Sequence, residues 1–181
     1  PKNLWTYSLL DVEGPAPAGV EETVAITSAN MIDGKAVCLA NNYGFGVHAE
    51  PVEFFTDDQG RTCEHKDGKF DLWYPWTDMG LVSLPLLGSE DCMRGSVGIM
   101  YHIEEITVPA GTFHDGFMVR YDWVPCCDSG LVSETFIAGV GLVERQVLTF
   151  AGVRTYALKR AFVGGKWLDA PSTGRALATG E

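Results

Sequence analysis

Basic side chains are scarce in this chain, with 13 lysines and arginines against 24 aspartates and glutamates and a formal net charge of −11. A partner bound by neutralising its phosphates needs the opposite balance, so nucleic acid and bare anionic membrane are excluded. No apolar run reaches the roughly 18 to 20 residues that cross a bilayer as a helix, and no charged-then-apolar leader precedes the first strand, so no membrane span is expected. Cysteine is sparse as well. Five in 181 residues are too few for a disulfide scaffold and one too many for complete pairing, which leaves the redox compartment open. Helical periodicity is missing beyond about two turns. Catalytic signatures are missing too: there is no CxxC, no HExxH and no recognisable nucleophile and base, so neither enzymatic activity nor a cofactor is expected.

What is present is strand pattern and turn chemistry. A chain that is 46% hydrophobic and 11% aromatic, with 21 glycines and 9 prolines, has material for one core and many tight corners, which predicts an all-β domain. The centre of the pattern is Ile106-Thr107-Val108-Pro109-Ala110-Gly111-Thr112-Phe113, a strand, a Pro/Gly corner and a second strand. After it comes the cleanest alternation in the chain. Phe113, Phe117, Val119, Tyr121 and Trp123 fall on one face, and His114, Met118, Arg120 and Asp122 on the other. Further on, Phe136 to Val143 is a strand, a glycine pivot and another strand.

From the start, Trp5, Tyr7 and Leu9 share a face of a first strand. Residues 21 to 32 carry Val24, Ile26 and Ile32 in phase, and Asp33-Gly34 supplies a type I′ turn into residues 35 to 41. Two more turn signals, around Asp57 to Gly60 and at Asp67-Gly68, make the second to sixth strands a meander of neighbours. Prolines 75 and 85 interrupt the segment from Trp73 to Leu87, which is expected to be an irregular covering piece. Val97, Ile99, Tyr101 and Ile103 alternate, then Ile106 and Val108 fall out of phase, which predicts a β-bulge at Glu104-Glu105. The last hairpin, joined at Ala151-Gly152, places Tyr156, Leu158 and Phe162 on its inner face.

The expected strands lie near residues 4–10, 21–32, 35–41, 51–56, 61–66, 69–74, 95–108, 112–124, 131–138, 142–150 and 153–163. Together they form a single, strongly curved antiparallel sheet, a half-barrel or open barrel, over residues 1–165. Residues 166–181 form a polar tail with no core of its own. Trp167 is expected to anchor that tail as a docking arm, since one aromatic in a pocket can fix such a segment.

Leu4-Trp5-Thr6-Tyr7, Leu84-Pro85-Leu86-Leu87-Gly88, the hairpin Val108 to Phe113 and Gly139-Val140-Gly141-Leu142-Val143 resemble, in order, a group of bacterial exported proteins and lipoproteins. Their architecture is similar to that of the half-barrel lipoprotein carriers of the periplasm. The resemblance spans residues 4 to about 160 and implies an extracytoplasmic location and a curved sheet that holds a hydrophobic ligand. It brings no catalytic residues with it. Cys126-Cys127 and the polar tail depart from it.

Several side-chain sets have chemistry that could make a site. Cys63 with His65, and His102 with Glu104, each share a strand face, but a zinc site needs three or four converging ligands and each pair supplies two, so no metal is expected. Cys126-Cys127 could close a strained, redox-active vicinal disulfide, or either could bridge elsewhere, with Cys92 within reach; structural pairing with another cysteine is the expectation. The carboxylate pairs Glu21-Glu22, Asp57-Asp58 and Glu104-Glu105 would do acid/base work only if burial split their pKa values, and strand neighbours point to opposite faces. The aromatic set is the ligand-binding candidate: Trp5, Tyr7, Trp73, Trp76, Phe117, Tyr121 and Trp123 would fill a core or line an apolar pocket. Expected partners are thus an apolar small molecule or lipid. The alternative is an interaction subunit that uses its sheet edges and its tail in a protein assembly or in self-assembly.

Overall fold

A computed structural model describes residues 3–12, 19–46, 50–56, 62–74, 81–83, 97–121 and 130–169. The described residues form thirteen strands and no helix. They are β1 (Leu4–Val12), β2 (Glu21–Ile32), β3 (Lys35–Asn41), β4 (Val52–Thr56), β5 (Thr62–Lys66), β6 (Lys69–Tyr74), β7 (Leu81–Ser83), β8 (Val97–Val108), β9 (Gly111–Tyr121), β10 (Gly130–Ile137), β11 (Gly141–Thr149), β12 (Gly152–Val163) and β13 (Lys166–Asp169). All belong to one antiparallel sheet in the order β6-β5-β4-β3-β2-β1-β12-β11-β10-β9-β8-β7, with β13 beside β12.

Every neighbour in that order except one is also a neighbour in sequence. The exception is β1 against β12, which joins Leu4 to Phe162 and Tyr7 to Leu158. The sheet therefore has the strand order of an up-and-down barrel, with no pairing between β6 and β7 among the described residues. Turn chemistry sets the hairpins: Asp33-Gly34 and Asp67-Gly68 all have positive φ (48°, 77°, 51° and 72°), as a type I′ turn requires.

Five expectations about phase and extent need correction. The pairing of β8 with β9 keeps one register from Gly98↔Tyr121 to Val108↔Gly111, so there is no bulge at Glu104-Glu105. The two apolar runs simply occupy opposite faces of β8, and the local irregularity is Asp115 at φ 56° on the facing strand. Bulges lie elsewhere. One at Thr27, where Ile26 pairs with Ala40 but Ser28 with Leu39, turns Ile32 to the other face, against a small cluster of Val37, Phe55 and Cys63. One at Lys159, where Tyr7 pairs with Leu158 but Thr6 with Arg160, sends Ala161 inward and turns Phe162 outward. Finally, the segment expected to be irregular contains β7, paired with β8, and the tail begins as β13, paired with β12.

The core lies on one face of the sheet. Val24, Ala40 and Val52 from β2 to β4 share a cluster with Tyr7 and Leu158 at the centre and with Met100, Val119 and Val147 beyond it. Two connections reach across that face. The turn between β8 and β9 returns to β12, where Ala110 N donates to Leu158 O at 2.8 Å. The loop after β3 crosses to β11 and β12, and Phe45 stacks on Tyr7 at 4.6 Å and meets Tyr156 edge-on at 5.3 Å. At Gly46 (φ 82°) a Cβ would meet Val147 and Tyr156 at a tight 3.1 and 3.2 Å in a backbone conformation that already favours glycine.

Candidate functional site: an apolar cavity under the β10–β11 tip

Between β12 and the tip of the β10–β11 hairpin the sheet parts. β11 pairs with β12 only from Glu144 to Thr149, and β13 takes the place beside the last residues of β12. The freed tip lies against β1: Trp5 Nε1 donates to Val140 O at 2.7 Å and the Tyr7 hydroxyl to Leu142 O at 3.0 Å. Gly141 takes φ 100°, a conformation that favours glycine, and a Cβ there would rest in ordinary contact with the Trp5 indole, 3.5 Å from Nε1. Burial pushes the Tyr7 phenol well above its ordinary pKa, so it stays protonated and keeps donating at any physiological pH.

Beside this contact is a cavity of about 660 Å³. Its wall is made by Trp5, Tyr7, Val24 and Ile26 on β1 and β2, Tyr43 and Phe54 from β3–β4, Phe117 on β9, and the hairpin tip from Phe136 to Leu142. Asn3, Ala29, Cys38 and Val163 complete it among the described residues. None of these is charged.

Behind Tyr43 lies an arrangement that is energetically demanding, a buried ion pair. Glu134 and Arg145 face each other across β10 and β11, both with no exposed surface. Arg145 Nε donates to Glu134 Oε1 at 2.8 Å, and its Nη2 bonds the same oxygen. Tyr121 donates its hydroxyl to Glu134 Oε2. Arg145 Nη1 donates to the carbonyls of Tyr43 (2.6 Å) and Phe45 (3.2 Å), and the guanidinium lies 4.2 Å from the centre of the Phe45 ring. A buried pair of this kind is a fastening, because each charge is compensated only while the other and the loop carbonyls stay in place. It fixes the loop that carries Tyr43 into the cavity wall.

No family model, curated protein or solved structure matches the chain. The resemblance to the periplasmic carriers thus draws no support from those comparisons, and the site must be argued from its own geometry.

Of the expected ligand-binding residues, Trp5, Tyr7 and Phe117 line the cavity. Tyr121 is buried and bonded to Glu134. Trp73 lies on β6, where only the backbone is described, and Trp76 and Trp123 lie outside the described residues, as do Cys92, Cys126 and Cys127. Trp167 sits on β13 against Phe162, with ring centres 5.2 Å apart, and is 52% exposed. Among the metal candidates, Cys63 is buried in the small cluster of the other face, and His65 Nδ1 lies 2.6 Å from Glu53 Oε2. His102 lies 3.7 Å from Asp115.

The residues missed from sequence are Glu134, Arg145 and the loop that ends at Phe45. One signal was available: Arg145 stands between Val143 and Val147 in the buried phase of β11, and a charge in that phase needs a buried partner.

Proposed function

We propose that the chain is a non-enzymatic, extracytoplasmic binding or carrier module whose core face takes an apolar ligand into this cavity. The observation that carries the reading is the cavity itself. Its volume of about 660 Å³ falls in the range of small-molecule sites, roughly 300 to 1,000 Å³. Its wall is aromatic and aliphatic, and the polar atoms of Trp5 and Tyr7 are already spent on fixing the hairpin tip.

The reading needs a concave sheet, and chain connectivity supports one. Laid flat, twelve strands at about 4.8 Å would separate β6 from β7 by about 53 Å. The seven Cα steps from Tyr74 to Leu81 span at most about 25 Å. A bend of the sheet would let the chain join its two edges, and the bond from Ala110 N to Leu158 O is in keeping with a bend in that sense. Curvature of that kind turns an aromatic face into the inside of a container.

Titration with the neutral dye Nile red tests the proposal, using the intact chain and Ala29→Trp, which places bulk at an exposed position of the cavity wall. Saturable binding to the parent and its loss in the variant, with an unchanged melting temperature, support it. A parent that does not bind, or a variant that binds equally well, refutes it.

A second reading, an interaction subunit, is favoured by one observation: among the described residues β6 and β7 each pair on one side only. Such edges can accept another strand. Concentration-dependent self-association without dye binding would select this reading.

A further inference from the structure

We infer that the cavity selects uncharged apolar ligands against anionic ones of the same chain length, so that a fatty alcohol or ester enters where the matching carboxylate does not. This rests on the binding reading above and adds to it the charge of the ligand's polar end.

Carriers that hold a fatty carboxylate need a cation or several free donors to replace the water it loses, because an ionised carboxylate in an apolar site is otherwise unpaired or forced to take up a proton. Among the described residues of this wall there is no lysine, arginine or histidine. The guanidinium behind Tyr43 does not stand in for one. Four of its bonds already go to Glu134, Tyr43 and Phe45, its charge faces Glu134, and it has no exposed surface.

Two donors of the wall are committed as well. The Trp5 indole N–H and the Tyr7 hydroxyl each hold a carbonyl of the hairpin tip, and burial keeps the Tyr7 phenol neutral. At one end, Asn3 Oδ1 accepts from Gly164 N at 3.3 Å. A carboxamide there can meet a hydroxyl or an ester carbonyl, but it adds no charge. Outside the cavity an anion meets a chain with a net charge of −11, which opposes its approach. Each of these features leaves a neutral ligand unaffected.

The experiment is displacement of Nile red from the intact chain at pH 8 by 1-dodecanol, methyl dodecanoate and sodium dodecanoate, below their aggregation concentrations. The alcohol and the ester are expected to displace the dye alike, with the carboxylate at least about tenfold weaker. The gap should narrow at pH 5, where a fraction of the acid is neutral. Val163→Lys, which adds a cation at a half-buried position of the wall, should strengthen dodecanoate relative to the ester. If dodecanoate and methyl dodecanoate compete equally at pH 8, the selectivity is refuted while the binding reading stands. If the dye binds but none of the three displaces it, the inference fails on the ligand class. A parent chain that does not bind dye at all removes the binding reading and this inference with it.

Discussion

Replacing Arg145 with methionine tests the most specific energetic claim made by the structure. The change preserves much of the side chain's length and removes its charge. It leaves Glu134 fully buried without the guanidinium that faces it, and it strips the Tyr43 and Phe45 carbonyls of a donor. Breaking a buried pair in this way costs about 3 to 5 kcal/mol. Since a domain's whole stability is about 5 to 15 kcal/mol, the variant should lose a large share of it and unfold at a markedly lower urea concentration than the parent. The companion Arg145→Met/Glu134→Leu removes both charges and leaves only neutral groups to re-pair, at about 1 to 3 kcal/mol for each that cannot. The double variant should therefore be more stable than Arg145→Met, and the cycle completed by Glu134→Leu should yield a coupling of about 2 kcal/mol or more. Urea unfolding followed by both tryptophan fluorescence and circular dichroism supplies the four free energies. Single substitutions that each cost less than about 1 kcal/mol, or a coupling within about 0.5 kcal/mol of zero, would refute the view of this pair as the fastening of the 42–46 loop.

Tyr7→Phe deletes the hydroxyl that holds Leu142 O, and a loss of about 1 to 2 kcal/mol in the same unfolding assay, with faster amide exchange at residues 140–142, is expected. Gly116→Ala would put a Cβ 2.7 Å from Ile137 Cδ1 and 2.9 Å from Phe136 O; because the second atom is backbone, a cost of about 1 to 3 kcal/mol should follow, and a neutral result would contradict the close approach of β9 to β10. Glu144 has its pKa raised by burial, so the unfolded chain ionises first as pH rises and stability falls between the unfolded and the folded values. Glu144→Gln should accordingly raise the melting temperature at pH 7, and scanning calorimetry should find that gain gone below the carboxylate range. Glu21 shifts the other way, its pKa lowered by the hydrogen bond from Lys159. Its contribution is present above the ordinary carboxylate value and lost as pH falls through the lowered one, so Lys159→Met should flatten the acid limb of the stability profile slightly.

Much of the sheet was legible because its signals are local. Alternation in β9 and the Asp-Gly turns at 33–34 and 67–68 each depend on a few adjacent residues, and those elements lie where the pattern places them. β7 and β13 were missed because strands of three and four residues carry less than two periods of alternation, so no pattern distinguishes them from coil. The bulges at Thr27 and Lys159 were invisible for a related reason. A single inserted residue leaves composition unchanged while it exchanges the faces of everything that follows, which is why Ile32 and Phe162 were assigned to the wrong side. The cavity was half legible: Trp5, Tyr7 and Phe117 announce themselves as aromatics in strand phase, whereas Tyr43, the hairpin tip and the Glu134–Arg145 pair meet only through the folded register.

The pairing of β1 with β12 has a consequence for how the chain reaches this structure. Eleven of the twelve strand pairings could zip locally through hairpins, but Leu4 must find Phe162 across a separation of 158 residues. Compared with a hairpin that closes ten residues, that loop is about four doublings longer, which adds about 2.4 kcal/mol of closure entropy before any contact between the two halves offsets it. The two meanders should thus form first and dock late, with β1 and β12 as the slow seam. The same arithmetic points to the remedy. A circular permutant that links Asp169 to Leu4 and opens between Tyr74 and Leu81 makes every pairing in the sheet a sequence-local one, and would fold faster without altering a single contact described above.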